Sequence, residues 1–254
     1  MPRNIATNRP QIYSVPYTLS SDGSNGNYIS VGTNVYNYER TQAFSLVFWI
    51  FPKSFPSSGG HIFSEYDSTN PYKGRLVRID GGLLRFWLIA NFGTNELKAN
   101  YTPPPRGQWT RVVITYDGSS TLAGVKCYYN SILQTQAPAS LQTLSATIVS
   151  TSASTRWGQW GGASLAMPMN LAKFGIANYV LTQTHIDEDY RTGQVRTGNQ
   201  PIDYYETTEG SGTSLASIGT GAHNGTINGT ITWDSTNIPK SQRRNLTQGR
   251  NPIS

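Results

Sequence analysis

Residues 107–118, GQWTRVVITYDG, leave the chain little choice of local structure. A glycine opens the stretch, Trp109 follows, a run rich in β-branched residues fills the middle, and Asp117-Gly118 closes it. That is the composition of a strand ending in a tight turn. After a short Gly/Ser/Thr-rich gap, residues 125–130 (VKCYYN) have the same β-rich make-up, so the two segments predict a hairpin. A hairpin this apolar must be covered by something else.

The most hydrophobic run, FSLVFWIFP at residues 44–52, carries apolar side chains on both parities and is interrupted only by Ser45. Such a strand is covered on both faces or displays an aromatic strip, with Trp49 either in the core or facing a ligand. Shorter strands are expected at 61–65, 75–79 and 83–91, separated by Asp/Ser/Asn/Pro and Asp-Gly-Gly turns. Their spacing is that of a meander and not of βαβ units. Residues 155–162 hold Trp157 and Trp160 among glycines. Read as extended with both indoles on one side, this segment either stacks a sugar ring or caps the edge of a sandwich. A strand at 170–181 leads into a short helix capped by Thr182, with acids in its early turns and with Ile186 and Tyr190 on one face.

In order and type these motifs resemble laminin-G-like, concanavalin A-like jelly rolls. In that family a Trp opens one hairpin strand, a Tyr-Asp-Gly turn closes it and a Tyr-x-Asn strand answers it, as in Trp109, Tyr116-Asp117-Gly118 and Tyr128-Tyr129-Asn130. The turn Asp22-Gly23 before Tyr28-Ile29, the Phe44 to Trp49 to Pro52 strand, and Leu181-Thr182 ahead of an acidic helix are similar to the family in the same way. The resemblance covers roughly residues 17–192 and implies an all-β fold, a β-sandwich (jelly roll).

Residues 203–233 are similar to the segment that introduces such a unit, yet no second unit follows. Strands near 204–206 and 226–233 are unstable as an isolated pair. They must add to the preceding sandwich, the favoured reading, or to another subunit's sheet. The expected organisation is an N-terminal arm at 1–16, one sandwich at 17–238, and a basic tail at 239–254.

Charge separates the ends from the body. The net charge of +6 comes from Arg3 and Arg9 at one end and Lys240, Arg243, Arg244 and Arg250 at the other, leaving 14 basic and 14 acidic residues between them. A nucleic-acid reader needs a basic face on its folded part, so no specific nucleic acid is expected. The cationic ends are either solvated or dock on neighbours in an assembly. Cys127 is the only cysteine, which rules out an internal disulfide and a thiolate-rich metal site. No segment approaches the about 18 apolar residues of a membrane span, and no export signal is visible. The sequons at Asn100, Asn224, Asn228 and Asn245 are accordingly read as turn chemistry.

Catalytic patterns are scarce. The glucanases of this superfamily place paired carboxylates as Glu-x-Asp-x-x-Glu on one strand. Here Glu65-Tyr66-Asp67 lacks the second Glu, and Asp187-Glu188-Asp189 lacks the spacing. His61, His185 and His223 show no zinc-ligand spacing, and no nucleophile elbow or phosphate loop is present. No cofactor is expected. Calcium, common on related lectin-like folds, would have to draw on turn residues such as Asp22, Asp67, Asp80 and Asp117.

Two functions follow. The first is a non-enzymatic virion component, a bacteriophage capsid or tail protein made in the host cytoplasm, whose cationic ends contact other subunits or further copies of itself. The short Pro-Lys-Ser-Gln-Arg-Arg tail at 239–244 is similar to what phage-encoded laminin-G-like proteins carry. The alternative is a lectin that binds cell-surface glycans through Trp157, Trp160, Trp87 and Tyr66. Glycoside hydrolysis is a remote third.

Overall fold

Short β-rich runs separated by polar turns become strands, and the computed structural model describes them over residues 17–161, 165–192 and 201–236. In chain order they are β1 (Thr18–Ser21), β2 (Tyr28–Thr33), β3 (Phe44–Pro52), β4 (Gly60–Tyr66), β5 (Gly74–Asp80), β6 (Leu83–Asn91) and β7 (Asn95–Tyr101). There follow β8 (Thr110–Tyr116), β9 (Val125–Tyr129), β10 (Ile132–Leu133), β11 (Leu141–Gln142), β12 (Ser154–Trp157) and β13 (Met169–Ala177). After the helix α1 (Gln183–Thr192) come β14 (Asp203–Tyr205), β15 (Ser214–Leu215), β16 (Gly225–Asn228) and β17 (Thr232–Asp234).

Two antiparallel sheets result. The first runs β10-β9-β8-β3-β13-β1-β17, with β14 also beside β13, and the second runs β11-β7-β6-β5-β4-β12-β2-β16-β15. They face each other across one core that takes Phe44, Leu46, Phe48 and Ile50 from β3 and Leu84, Phe86 and Leu88 from β6. The fold is therefore an all-β sandwich. The predicted hairpin is β8 with β9, paired from Val112 opposite Tyr129 to Tyr116 opposite Val125.

The C-terminal strands join both sheets. β14 pairs with β13, β16 with β2 in the second sheet, and β17 with β1 in the first. Where a single strand was expected at 226–233, a turn at Gly229-Thr230 breaks the run and carries the chain from one sheet to the other. The turn is fixed on Asn27: the Thr230 N–H donates to Asn27 Oδ1 at 2.7 Å, and Asn27 Nδ2 donates to Thr230 Oγ1 at 3.1 Å.

The outer face of the first sheet is covered by α1. Thr182 caps it, its Oγ1 accepting from the His185 N–H at 3.3 Å, and Ile186 packs with Val47, Val113 and Tyr204. Trp49 stacks on Tyr190 with centroids 5.8 Å apart, so this indole is buried under the helix and faces no ligand. The acids expected in its early turns, Asp187, Glu188 and Asp189, fall in the second turn of the helix, which starts at Gln183. Asp189 instead points inward and clasps Arg111 of β8, with Nε–Oδ2 at 2.6 Å and Nη2–Oδ1 at 2.8 Å, both side chains at most 1% exposed. Arg111 also donates to the Lys173 carbonyl and, at 3.4 Å, to the Tyr204 hydroxyl.

A bidentate, fully buried pair of this kind ties helix, sheet and C-terminal strand together, and removing one partner strands the other charge. Asp189→Ala is expected to lower the unfolding free energy by about 3–5 kcal/mol in urea titrations. The double change Arg111→Met with Asp189→Leu should recover most of that loss, and a cost below about 1 kcal/mol for Asp189→Ala would contradict the assignment.

Candidate functional site

Strand alternation sorts the second sheet's side chains into two sets. On β6, Leu84, Phe86 and Leu88 enter the core, while Arg85, Trp87 and Ile89 point away from it; on β5, Val77 and Ile79 enter, while Leu76 and Arg78 point away. Tyr66, Leu76, Trp87 and Ile89 thus form a separate apolar cluster on the outer face, with Tyr72 and Trp160 packed over it.

A strap of chain puts Trp160 there. Residues 158–161 and 165–167 lie along β4: the Gly158 N–H donates to the Ile62 carbonyl, the His61 N–H to Leu165, and Ser64 Oγ to Gln159, each at 2.9 Å. Gly158 has φ of +97°, a conformation that suits glycine, and it turns the chain off β12 immediately after Trp157. The two indoles therefore part company. Trp157 goes inward among Phe48, Phe63 and Phe174 with centroids at 5.9, 4.9 and 4.8 Å, and is fully buried. Trp160 lies outward, nearly parallel to Tyr66 at 5.6 Å and 8°, and stacked on His61 at 6.4 Å.

The expectation that Trp157 and Trp160 share one side is corrected here. Residues three apart fall on opposite sides of an extended backbone, and Trp157 belongs to the core. Trp160, Trp87 and Tyr66 do converge on one face. Trp87 and Tyr66 are 5% and 7% exposed, so they back the surface more than they form it. The sequence did not single out Tyr72, edge-on to Trp160 at 6.3 Å, or Phe92, which touches Tyr72 and Trp87 and is 51% exposed.

Cations run along the same face. Lys98 Nζ lies 4.9 Å from the Trp87 ring centroid, and Arg156 Cζ lies 4.0 Å from that of Tyr28 while its Nη1 donates to the Trp160 carbonyl at 3.3 Å. Cations over aromatic faces were detectable from strand parity once the register was known, since Trp87 is directly opposite Lys98.

Residues 22–187 match the profile of the concanavalin A-like lectin/glucanases superfamily. The chain belongs to this superfamily. None of the curated proteins matches it by sequence. Among solved structures it is similar to a candidate carbohydrate binding protein from Bacteroides ovatus, at 17% identity and a TM-score of 0.58, covering 87% of this chain and 60% of that one. The chain thus spans about three-fifths of that protein's length. It is also similar to Trypanosoma rangeli sialidase in complex with the inhibitor DANA, at 12% identity and TM-score 0.50 over 71% of this chain and 28% of that one. The CBM40 of a Ruminococcus gnavus sialidase, bound to α2,3-sialyllactose, gives 12% identity and TM-score 0.48 over 68% and 97%. At these identities the likeness is one of fold.

The carboxylates weighed for hydrolysis are engaged in structural bonds. Glu65 points into the sandwich, where its Oε1 accepts from the Tyr36 N–H at 2.9 Å and its Oε2 lies 3.9 Å from Arg75 Nε. Asp67 accepts from the Ser150 and Ser152 hydroxyls, Asp187 from Gln183, and Asp189 is held by Arg111. The aspartates weighed for calcium stay apart as turn residues: Asp22 accepts from Ser24 and Asn27, Asp117 from the Ser119 N–H, and Asp80 from arginines. Among the described residues no group of three His, Cys, Asp or Glu side chains is placed to hold a metal. None of the described helices is long and apolar enough to cross a membrane. Arg3, Arg9, Lys240, Arg243, Arg244 and Arg250 lie outside the described residues.

His61, beneath Trp160, has its Nε2 3.3 Å from the Tyr66 hydroxyl. Burial, aided by the nearby Arg78 charge, holds its pKa down to about 3 from the ordinary 6.5. The folded-state value is the lower one, so the unfolded chain takes up the proton first. The contribution of this group is complete above pH 6.5 and is lost as pH falls from 6.5 towards 3. His61→Gln should flatten the pH dependence of urea stability between pH 6 and pH 4 by about 1.4 kcal/mol per pH unit relative to wild type. Parallel curves for the two proteins would contradict a neutral, buried imidazole.

Proposed function

We propose that this protein is a carbohydrate-binding module that holds saccharides on the outer face of its second sheet and leaves their bonds intact. The observation that carries this reading is the Trp160 platform. An indole is pinned flat by Tyr66 and His61, partly open to solvent, bordered by Tyr72, with Phe92 beyond that ring, and accompanied on the same face by the cations Lys98 and Arg156. A rigid aromatic with an apolar face and polar neighbours suits the C–H face of a pyranose while its hydroxyls meet the donors. Membership of a superfamily that includes lectins supports the reading, and the name of the Bacteroides ovatus protein agrees with it. The engagement of Glu65, Asp67 and Asp189 in structural bonds supports binding over hydrolysis.

This order reverses the one that the sequence favoured. The virion reading drew on terminal cations that lie outside the described residues, and none of the similar structures named above is a particle protein. A structural subunit remains the second reading, favoured by edge strand β10, whose Ile132 and Leu133 are 59% and 56% exposed. Light scattering separates the two. A multimer that Ile132→Lys with Leu133→Lys disperses supports assembly through that edge, and a monomer at high concentration opposes it.

For the primary reading, a glycan array followed by calorimetry is the direct test. Trp160→Ala should weaken binding of the best saccharide at least about tenfold, in line with the loss of one stacking contact of about 1.4 kcal/mol, while the protein stays folded. Unchanged affinity in Trp160→Ala, or an array with no signal from the wild type, would defeat the proposal.

A further inference from the structure

Arg78 of β5 and Arg85 of β6 stand directly opposite each other. Their strand neighbours Val77, Ile79, Leu84 and Phe86 enter the core, so both guanidinium groups belong to the outer face that carries Trp160. Like charges at directly opposed positions weaken a sheet, and this pair has a single carboxylate between them. Asp80 Oδ2 lies 2.7 Å from Arg78 Nη2 and 3.5 Å from Arg85 Nη1, which among the described residues leaves one positive charge uncompensated.

The row continues without an acid. His61 is opposite Arg78 and Asn100 is opposite Arg85, both of them uncharged groups here. Nε of Arg78 and Nε of Arg85 are each buried and find no hydrogen-bond partner among the described residues, and the same holds for Trp87 Nε1, Trp160 Nε1 and Arg156 Nε. Among the described residues of this outer face, Asn100 Oδ1 is the one acceptor in that condition. Five donors against one acceptor is a lopsided demand, because buried polar groups ordinarily find partners. The arginines are 17% and 21% exposed, shielded enough for their charge to act strongly and open enough to be reached.

We propose that Arg78 and Arg85 form a subsite for an anionic substituent, carboxylate or sulfate, of an acidic saccharide whose ring rests on Trp160. This deepens the carbohydrate-binding reading and rests on it. Two adjacent guanidinium forks offer an oxyanion more than one charge-assisted hydrogen bond, which a neutral hydroxyl would not repay.

The test uses the full chain at low, fixed salt, because exposed charge attraction is screened. Calorimetry compares oligogalacturonate with its methyl-esterified form, and a sulfated oligogalactan with its unsulfated form. The Arg Nε–H resonances are followed in the same titrations and in one with inorganic sulfate. The charged member of at least one pair should bind tenfold or more tighter, the pair concerned telling carboxylate from sulfate, and sulfate should shift the Arg78 and Arg85 Nε–H signals saturably. Arg78→Gln with Arg85→Gln should bring the affinity for the charged member down to that for the neutral one. Arg78→Lys with Arg85→Lys, a milder change should the first variant misfold, should keep charge attraction and lose most of the preference.

Equal binding of charged and neutral saccharides overturns the subsite and leaves the carbohydrate reading standing. Saturable sulfate binding with no saccharide bound overturns the carbohydrate reading and reduces the subsite to one for small anions. Unmoved Nε–H signals with every anion overturn the subsite itself.

Discussion

Both faces of each sheet carry apolar side chains, and the rest of the structure follows from the need to cover four faces with only one sandwich interior. β3 shows the demand most plainly: Phe44, Leu46, Phe48 and Ile50 fill the core, while Val47 and Trp49 face the other way. The interior satisfies the two inner faces. The outer faces need a further layer, and the protein builds two different ones.

On the first sheet the layer is a helix, fixed by a buried ion pair. Arg111 and Asp189 lose water completely and regain it as a bidentate bond plus contacts to the Lys173 carbonyl and the Tyr204 hydroxyl. On the second sheet the layer is a strap of loop and a few rings. Trp160, Tyr72 and Phe92 cover Tyr66, Leu76, Trp87 and Ile89 without closing over them, which leaves aromatic surface at the solvent boundary among cations. Charge follows the same division. Glu65 with Arg75 and Asp189 with Arg111 are sealed structural pairs, whereas Arg78 and Arg85 share one carboxylate at a face that solutes reach. The complete cover stabilises, and the incomplete one is where a ligand has something to gain.

Much of the fold was legible because its signals are local. The strand–turn–strand at 107–130 and the both-parity run at 44–52 are set by composition and alternation, and the helix start by Thr182. The strand β7 (Asn95–Tyr101) escaped notice, since NELKANY has little β-branched content and is held by pairing with β6. The site was legible only in part. Trp87, Tyr66 and Trp160 were found as aromatics, but that Trp157 turns inward depends on Gly158 and on three-residue spacing. That Asp189 is structural depends on where α1 sits over β8. The opposed arginines were within reach of the sequence: a hairpin closing at Gly81-Gly82 pairs Ile79 with Leu84 and therefore Arg78 with Arg85. What the sequence withheld was which face the strap would leave open.

The six tryptophans provide a direct readout of that face, because each indole N–H reports one location. In a two-dimensional proton–nitrogen spectrum, adding the tightest-binding saccharide should move the Trp160 and Trp87 indole signals and leave those of Trp157, in the core, and Trp49, beneath α1, in place. Movement confined to Trp49 or Trp109 on the first sheet, with Trp160 still, would contradict the account.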